Sequence, residues 1–554
     1  MAVASTMLKQ LLIPLVILLV ATRVRTWYTH RKRCSSNGCL PPPAYPHKDG
    51  ILGLVHLRTL IKARQEKRLP TAFSSIFTDT GAGVHTLTYT TLGSTTYWTV
   101  DADNIKAVLS SSFRDWGLPR ARVDAFAACW GGGIFGADGA EWEHSRAMLR
   151  PSFNRRQGQD TEMLERHVQN LLARITHGQT VDLAELFPLL TMDIATDLLF
   201  GESAGCLDPA KSAQGMEFTA AFNYVMQKMS VQVSFPLLAK VPDRRLKSCV
   251  NCINTFTDAF VTRALSFRDN MSKAKVSGDH EGRYGKKCVF LDELAKGDYS
   301  PRRLRAELLS VMVAGRDTTA SLLSIIWWHL ARRPDIVEKL REEISPLKSR
   351  PPSPNELKSM TYLRDVINEV LRLYPINPIN SRVAIRDTTL PRGGGKDGLS
   401  PVFIAKGQRL IFSSSALHRR KDIYGQDAMQ LRPERWETVR PSTWEYIPFG
   451  GGPRVCIGQQ LAQTEAAYTT VRLLQEFSSV KPRSEGPFQE GFAMALSSGD
   501  GCRLLRLARH ARPGFQGGDY LKHRGLVHIP VLLPSETKVH LYIFGQPNGQ
   551  EKLG

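Results

Sequence analysis

The sequence predicts one large, mainly α-helical domain with small β-sheets, carried behind an N-terminal transmembrane anchor. Three observations lead there. Helical periodicity dominates from about residue 51 to 507, and one such pattern is long enough to cross a whole domain. Strand-like runs are few and short. An apolar run without a charge, Leu11–Ala21, stands ahead of all of it.

The anchor comes first. Counting back to Ala2 gives about 20 residues, enough to span a hydrocarbon core of roughly 30 Å as a helix. Arg23, Arg25, Arg31, Lys32 and Arg33 follow with no acid among them. Positive charge stays on the cytoplasmic side, so the body of the protein is expected in the cytosol. A cleaved signal would carry its charges before the apolar run and a small-residue cleavage site after it. Residues 1–22 therefore read as anchor and 23–50 as a basic, proline-rich hinge. Pro41, Pro42, Pro43 and Pro46 make that hinge a stiff spacer.

Residues 51–507 form the expected domain. Of the 554 residues, 42% are hydrophobic and 23% charged, which excludes wholesale disorder and collagen-like architecture. Nine cysteines are few and odd in number, which fits a reducing compartment. Cys249 and Cys252 form a lone CxxC and read as ordinary helix cysteines. Lys and Arg number 73 against 52 Asp and Glu, a net charge of +21. Such an excess suits nucleic acid, a membrane surface or an acidic partner.

Val84–Val100 reads as a strand pair broken at Gly93, with Asp101 capping the next helix. Val402–Ala405 and Arg409–Phe412, around Lys406-Gly407, read as a second hairpin. The longest helix has Ser300 at its N-cap and Pro301 in its first turn. Its apolar pattern runs through Leu304, Leu308, Val311, Leu322, Ile325 and Trp328. Arg332 and Arg333 suit its C-terminal dipole, and Pro334 lies past its end.

Four groups of residues bear on chemistry. Gly131, Gly133 and Gly136 make a GxGxxG, but no clear strand precedes it, so a dinucleotide site is not expected. Phe449–Gly458 reads FGGGPRVCIG. Glycines there permit left-handed backbone and close approach of a flat ligand. Amides and Arg454 can hold the Cys456 sulfur as thiolate, the ligand a haem iron needs for O–O cleavage. In the middle of the long helix, Ala314-Gly315-Arg316-Asp317-Thr318-Thr319 is polar between apolar flanks. A Thr hydroxyl can take an upstream carbonyl there and bend the helix, and an acid beside a hydroxyl can relay protons. Glu369 and Arg372 share one helical face, and Arg435 can complete a charged network with them. Trp142 and Arg146 share another face.

Together these residues resemble the cytochrome P450 family of haem-thiolate monooxygenases, over about residues 50–500. The resemblance implies haem b with Cys456 as its axial thiolate on iron, Phe449 packed against that cysteine, and the Gly452 and Gly458 loop beneath the ring. It implies propionates held by Arg454, Trp142 and Arg146. Asp317 and Thr318 would deliver protons to oxygen at the haem, and Glu369, Arg372 and Arg435 would lock the core. The stretches 133–153, 314–320, 418–428 and 456–466 are similar to the microsomal branch of yeasts and filamentous fungi, which includes alkane and fatty-acid hydroxylases. That likeness implies a single-pass protein of the endoplasmic reticulum with its catalytic domain in the cytosol. Its partners would be an NADPH–cytochrome P450 reductase, the lipid bilayer, O₂ and a small lipophilic substrate, with no nucleic acid. A tailoring step on a polyketide, terpenoid or lipopeptide is the alternative substrate class. A non-catalytic, membrane-bound haem or lipid-binding protein is the alternative of another kind; it would need no Asp317-Thr318 relay. Residues 508–554 extend past the length usual in the family, as a tail without an assigned role.

Overall fold

The fold comes from a computed structural model that describes residues 38–49, 52–155, 161–176, 178–277 and 290–508, with 28 and 32–34. The expected anchor and the tail from residue 509 lie outside the described residues. The helices around the site are α1 (Arg120–Trp130), α2 (Gly139–Arg155), α3 (Leu183–Phe200), α4 (Ser212–Ser234), α5 (Pro301–Leu330), α6 (Thr361–Leu373) and α7 (Gln459–Glu476). The strands are β1 (Thr86–Thr91), β2 (Ser94–Thr99), β3 (Trp116–Gly117), β4 (Thr180–Asp182), β5 (Ile379–Ala384) and β6 (Thr388–Gly394). They continue with β7 (Ser400–Ile404), β8 (Arg409–Ser413), β9 (Phe477–Pro482), β10 (Glu490–Phe492), β11 (Leu496–Ser498) and β12 (Arg503–Ala508).

Helix α5 is the axis of the domain. The Ser300 side chain accepts from the Arg303 amide and Pro301 opens the first turn. Its 30 residues make a rod of about 45 Å. Leu304, Leu308, Val311, Leu322, Ile325 and Trp328 are all buried, and each such apolar side chain contributes about 1.5–3 kcal/mol. Arg332 closes the far end by donating to the Trp328 carbonyl at 2.9 Å. α5 is long and apolar enough to cross a membrane, yet it is buried against α3, α7 and β11.

Four small sheets flank the helices. Five strands run in the order β1-β2-β8-β5-β3, with β2 parallel to β8 and the rest antiparallel. The β1–β2 pair and the Asp101 cap, which accepts from the Asn104 amide, match expectation. The second expected hairpin does not form. β7 pairs with β6, and β8 pairs with β5 and β2. The Lys406-Gly407 turn carries the chain from one sheet to another, because β8 fills the gap between β2 and β5. Near the end of the domain β10–β11 form a hairpin and β12 lies between β4 and β9. Residues 39–45 run along the first and second sheets: Leu40 N–H donates to the Pro401 carbonyl at 3.0 Å and Tyr45 N–H to Thr88 at 2.9 Å.

Candidate active site

The cysteine loop links the end of the sheet region to α7. Cys456 N–H donates to the Phe449 carbonyl at 3.1 Å, which closes the loop into a ring. The Phe449 ring packs on the main core. Gly452 has φ +66°, and a Cβ there would lie 1.8 Å from the Leu109 carbonyl oxygen. That glycine is required by the close approach of the Leu109 backbone. Gly458 N–H faces the Cys456 sulfur at the start of α7.

Cys456 is surrounded by protein, yet the residue keeps an exposed surface. Burial pushes the thiol pKa up; the Gly458 amide and the Arg146 guanidinium act against that. Arg146, on α2, donates to the Val455 carbonyl at 2.8 Å. Trp142, one turn earlier, is buried with the Arg454 guanidinium 4.3 Å from its ring centroid.

Arg454 belongs to a cluster the sequence reading missed. It pairs with Asp138, whose charge also acts on Arg122 of α1 and on Arg382 of β5. Arg382 is only 5% exposed, and burial with no acid beyond Asp138 pushes its pKa down to about 9. Burial likewise lowers Arg454 to about 10 and lowers Arg122, whose Nε has no hydrogen-bond partner. Three guanidiniums around one carboxylate, with Arg382 buried, call for further negative charge. Arg382 left a signal, as a charged residue inside a strand. Arg122 left none, since nothing in RARVDAF separates it from Arg120.

The polar step lies in the middle of α5. Thr318 Oγ1 donates to the Ala314 carbonyl at 2.5 Å, the back-bond expected from the sequence, and α5 stays helical through it. Asp317 is part-exposed and pairs with Arg316 Nη1 at 2.7 Å. Arg316 is buried under the Phe222 ring of α4, and its carbonyl accepts from Thr191 of α3 at 2.8 Å. Thr319 points elsewhere: it is buried and hydrogen-bonded to Glu465 of α7. The wall around this step is apolar, with Leu308, Leu309, Met312 and Val313 of α5 against Phe222 and Val225 of α4.

The charged network stands behind the cysteine loop. Glu369 and Arg372 of α6 make two bonds, 2.8 and 2.9 Å, both side chains fully buried. Arg435 Nε reaches Glu369 at 3.1 Å, and its Nη1 reaches Asp427 at 2.8 Å. Arg372 also donates to the carbonyls of His418 and Ala428 at 2.8 and 2.7 Å. The Gly131–Gly136 motif is no dinucleotide loop, because helix α1 and not a strand precedes it. Gly133 has φ +68°, and a Cβ there would meet the Ala306 carbonyl oxygen of α5 at 2.6 Å. Cys249 and Cys252 lie on the helix Arg244–Ser277, half-buried, as expected.

These residues fit a dianionic metal cofactor: Cys456 would supply a sulfur ligand, and the guanidinium surplus would hold the two anionic groups. Haem is such a group, and the site therefore defines a haem-thiolate protein. The family model for Cytochrome P450 matches residues 79–499. A Cytochrome P450 monooxygenase FPY7 of Fusarium mangiferae is 39% identical over 87% of this chain and 92% of its own. The monooxygenase himC of Aspergillus japonicus is 39% identical over 87% of this chain and 86% of its own. Cytochrome P450 52A5 of Candida maltosa is 44% identical over 73% of this chain and 80% of its own. The chain belongs to the cytochrome P450 family: it is a haem monooxygenase with a cysteine thiolate on the iron, served by a reductase and using O₂ on an organic substrate.

Proposed function

We propose that the chain hydroxylates, or oxidises further, an aliphatic carbon of a lipophilic substrate of fatty-acid or alkane type. One oxygen atom enters the C–H bond and the other leaves as water. Two electrons come from NADPH through an NADPH–cytochrome P450 reductase. What supports this reading is the polar step Asp317-Thr318 of α5, next to an apolar cluster formed with α4, together with an exposed Cys456. Bound haem supplies O₂ binding and activation. Cys456 supplies the thiolate, which the Gly458 amide and Arg146 favour against burial. Arg454, Arg122 and Arg382 hold the propionates, with Trp142 stacked on Arg454. Thr318 would present the proton by turning its hydroxyl away from the Ala314 carbonyl, and part-exposed Asp317 would renew it from solvent.

Residues 1–22 anchor the protein in the endoplasmic reticulum membrane, 23–50 form the hinge, 51–507 the cytosolic haem domain and 508–554 the tail. Leu11–Ala21 and the basic residues after it support that arrangement. The test is turnover of purified protein with reductase and NADPH on n-alkanes and fatty acids, with products identified. Oxidation at an aliphatic carbon is expected. Tight binding and turnover of a polyketide or terpenoid, with none of either lipid, would replace this substrate class with the tailoring one. Deleting residues 1–33 should release the protein from microsomes at high salt with its spectrum intact; unchanged membrane retention would remove the anchor assignment.

A further inference from the structure

Asp138 lies just ahead of α2, and its orientation is fixed by its neighbours. Oδ2 accepts from Leu118 N–H at 2.6 Å and Oδ1 from Gly139 N–H at 3.1 Å. Arg454 Nη2 pairs with the same Oδ1. Among the described residues it is the one acid acting on all three of Arg122, Arg382 and Arg454. Three guanidiniums and one carboxylate leave a charge of +2. The two propionates of haem b carry −2. Arg146 also acts on Arg454, but its own counter-charge is the Cys456 thiolate, beside its bond to the Val455 carbonyl. The two propionates would therefore offset the surplus of these three guanidiniums over Asp138.

We propose that Asp138 is a positioning residue whose one negative charge matches the arginine cradle to the two propionates and so sets the haem reduction potential. The inference rests on the propionate-cradle reading of the site. Its physics is Coulombic. Removing the carboxylate leaves a surplus positive charge beside the ring in a medium that screens poorly. Ferrous haem carries one positive charge less than ferric, so the surplus favours the reduced state and raises the potential.

The experiment is spectroelectrochemistry on the haem-loaded chain. Asp138→Asn should shift the ferric/ferrous midpoint to more positive values while the CO complex keeps its thiolate band. Arg382→Gln removes a positive charge and should shift it the other way. The double variant restores +2 and should return the midpoint towards wild type. Unshifted midpoints, or shifts of the same sign in both single variants, would overturn the proposal. If Asp138→Asn fails to load haem, Arg382→Gln alone still decides the sign: a negative shift supports the charge balance and a positive one overturns it. Absence of a thiolate band in the wild-type protein would instead overturn the haem site itself.

Discussion

Glu465 gives the stability of this domain a pH dependence that one substitution should remove. It lies on α7, 5% exposed, and burial pushes its pKa from 4.5 up to about 8; the Thr319 hydroxyl donates to it and opposes that rise only in part. The folded state therefore holds a proton that the unfolded chain releases above about pH 4.3. Stability is full below that value and is lost as pH rises, the loss being complete near pH 8. The interval from 4.5 to about 8 corresponds to about 5 kcal/mol at ~1.4 kcal/mol per pH unit. Relaxation of the helices and entry of water reduce that to a few kcal/mol. Glu465→Gln keeps the size and the hydrogen bond to Thr319 but cannot ionise. Thermal unfolding of variant and wild type, read by Soret absorbance and tryptophan fluorescence, is compared from pH 5 to 8.5. At pH 5 the two should agree within about 1 kcal/mol, the worth of one altered hydrogen bond. Towards pH 8.5 the variant should become the more stable by a few kcal/mol. Other titrating groups, such as buried His418 with its pKa lowered to about 3, are common to both proteins and cancel in the difference. A difference that does not change with pH would refute the buried, protonated carboxyl.

The other predictions concern the site. Cys456→Ala should lose the red-shifted Soret band of the reduced, CO-saturated protein, and a variant that keeps it has another cysteine on the iron. Thr318→Ala should still bind haem and consume NADPH, with product falling about 10-fold or more, towards the low end of acid–base contributions, and hydrogen peroxide rising to match. Thr319→Ala should stay coupled, because its hydroxyl is turned to Glu465; equal uncoupling in both variants would remove the relay from Thr318. Glu369→Gln leaves two buried guanidiniums short of a charge, at a cost of about 3–5 kcal/mol, read as a lowered thermal midpoint and loss of haem. An unchanged midpoint would make the network dispensable.

How much of this could be read from the sequence depended on how far apart the deciding residues lie. The caps of α5 and its apolar face obey rules that act within a turn or two, and Ser300, Trp328 and the residues between stand where those rules put them. Glu369 and Arg372 were legible as one helical face, but not as fully buried. What covers them is Arg435 and the carbonyls of His418 and Ala428, segments 46–66 residues away. The failed hairpin has the same cause. Lys406-Gly407 is a sound turn, and a turn fixes the chain's reversal; β5 and β2 decide which strand β8 pairs with. The arginine cradle was the least legible part of the site. Arg122, Arg382 and Arg454 belong to a helix, a strand and a loop, and in sequence each is one more cation in a basic protein. Their meaning arises when the fold brings them to one carboxylate. Folding alone gives no reason to bury three cations on one acid, since the surplus charge opposes it. An anionic cofactor accounts for the arrangement, so the least legible part of the site is also a part that speaks for haem.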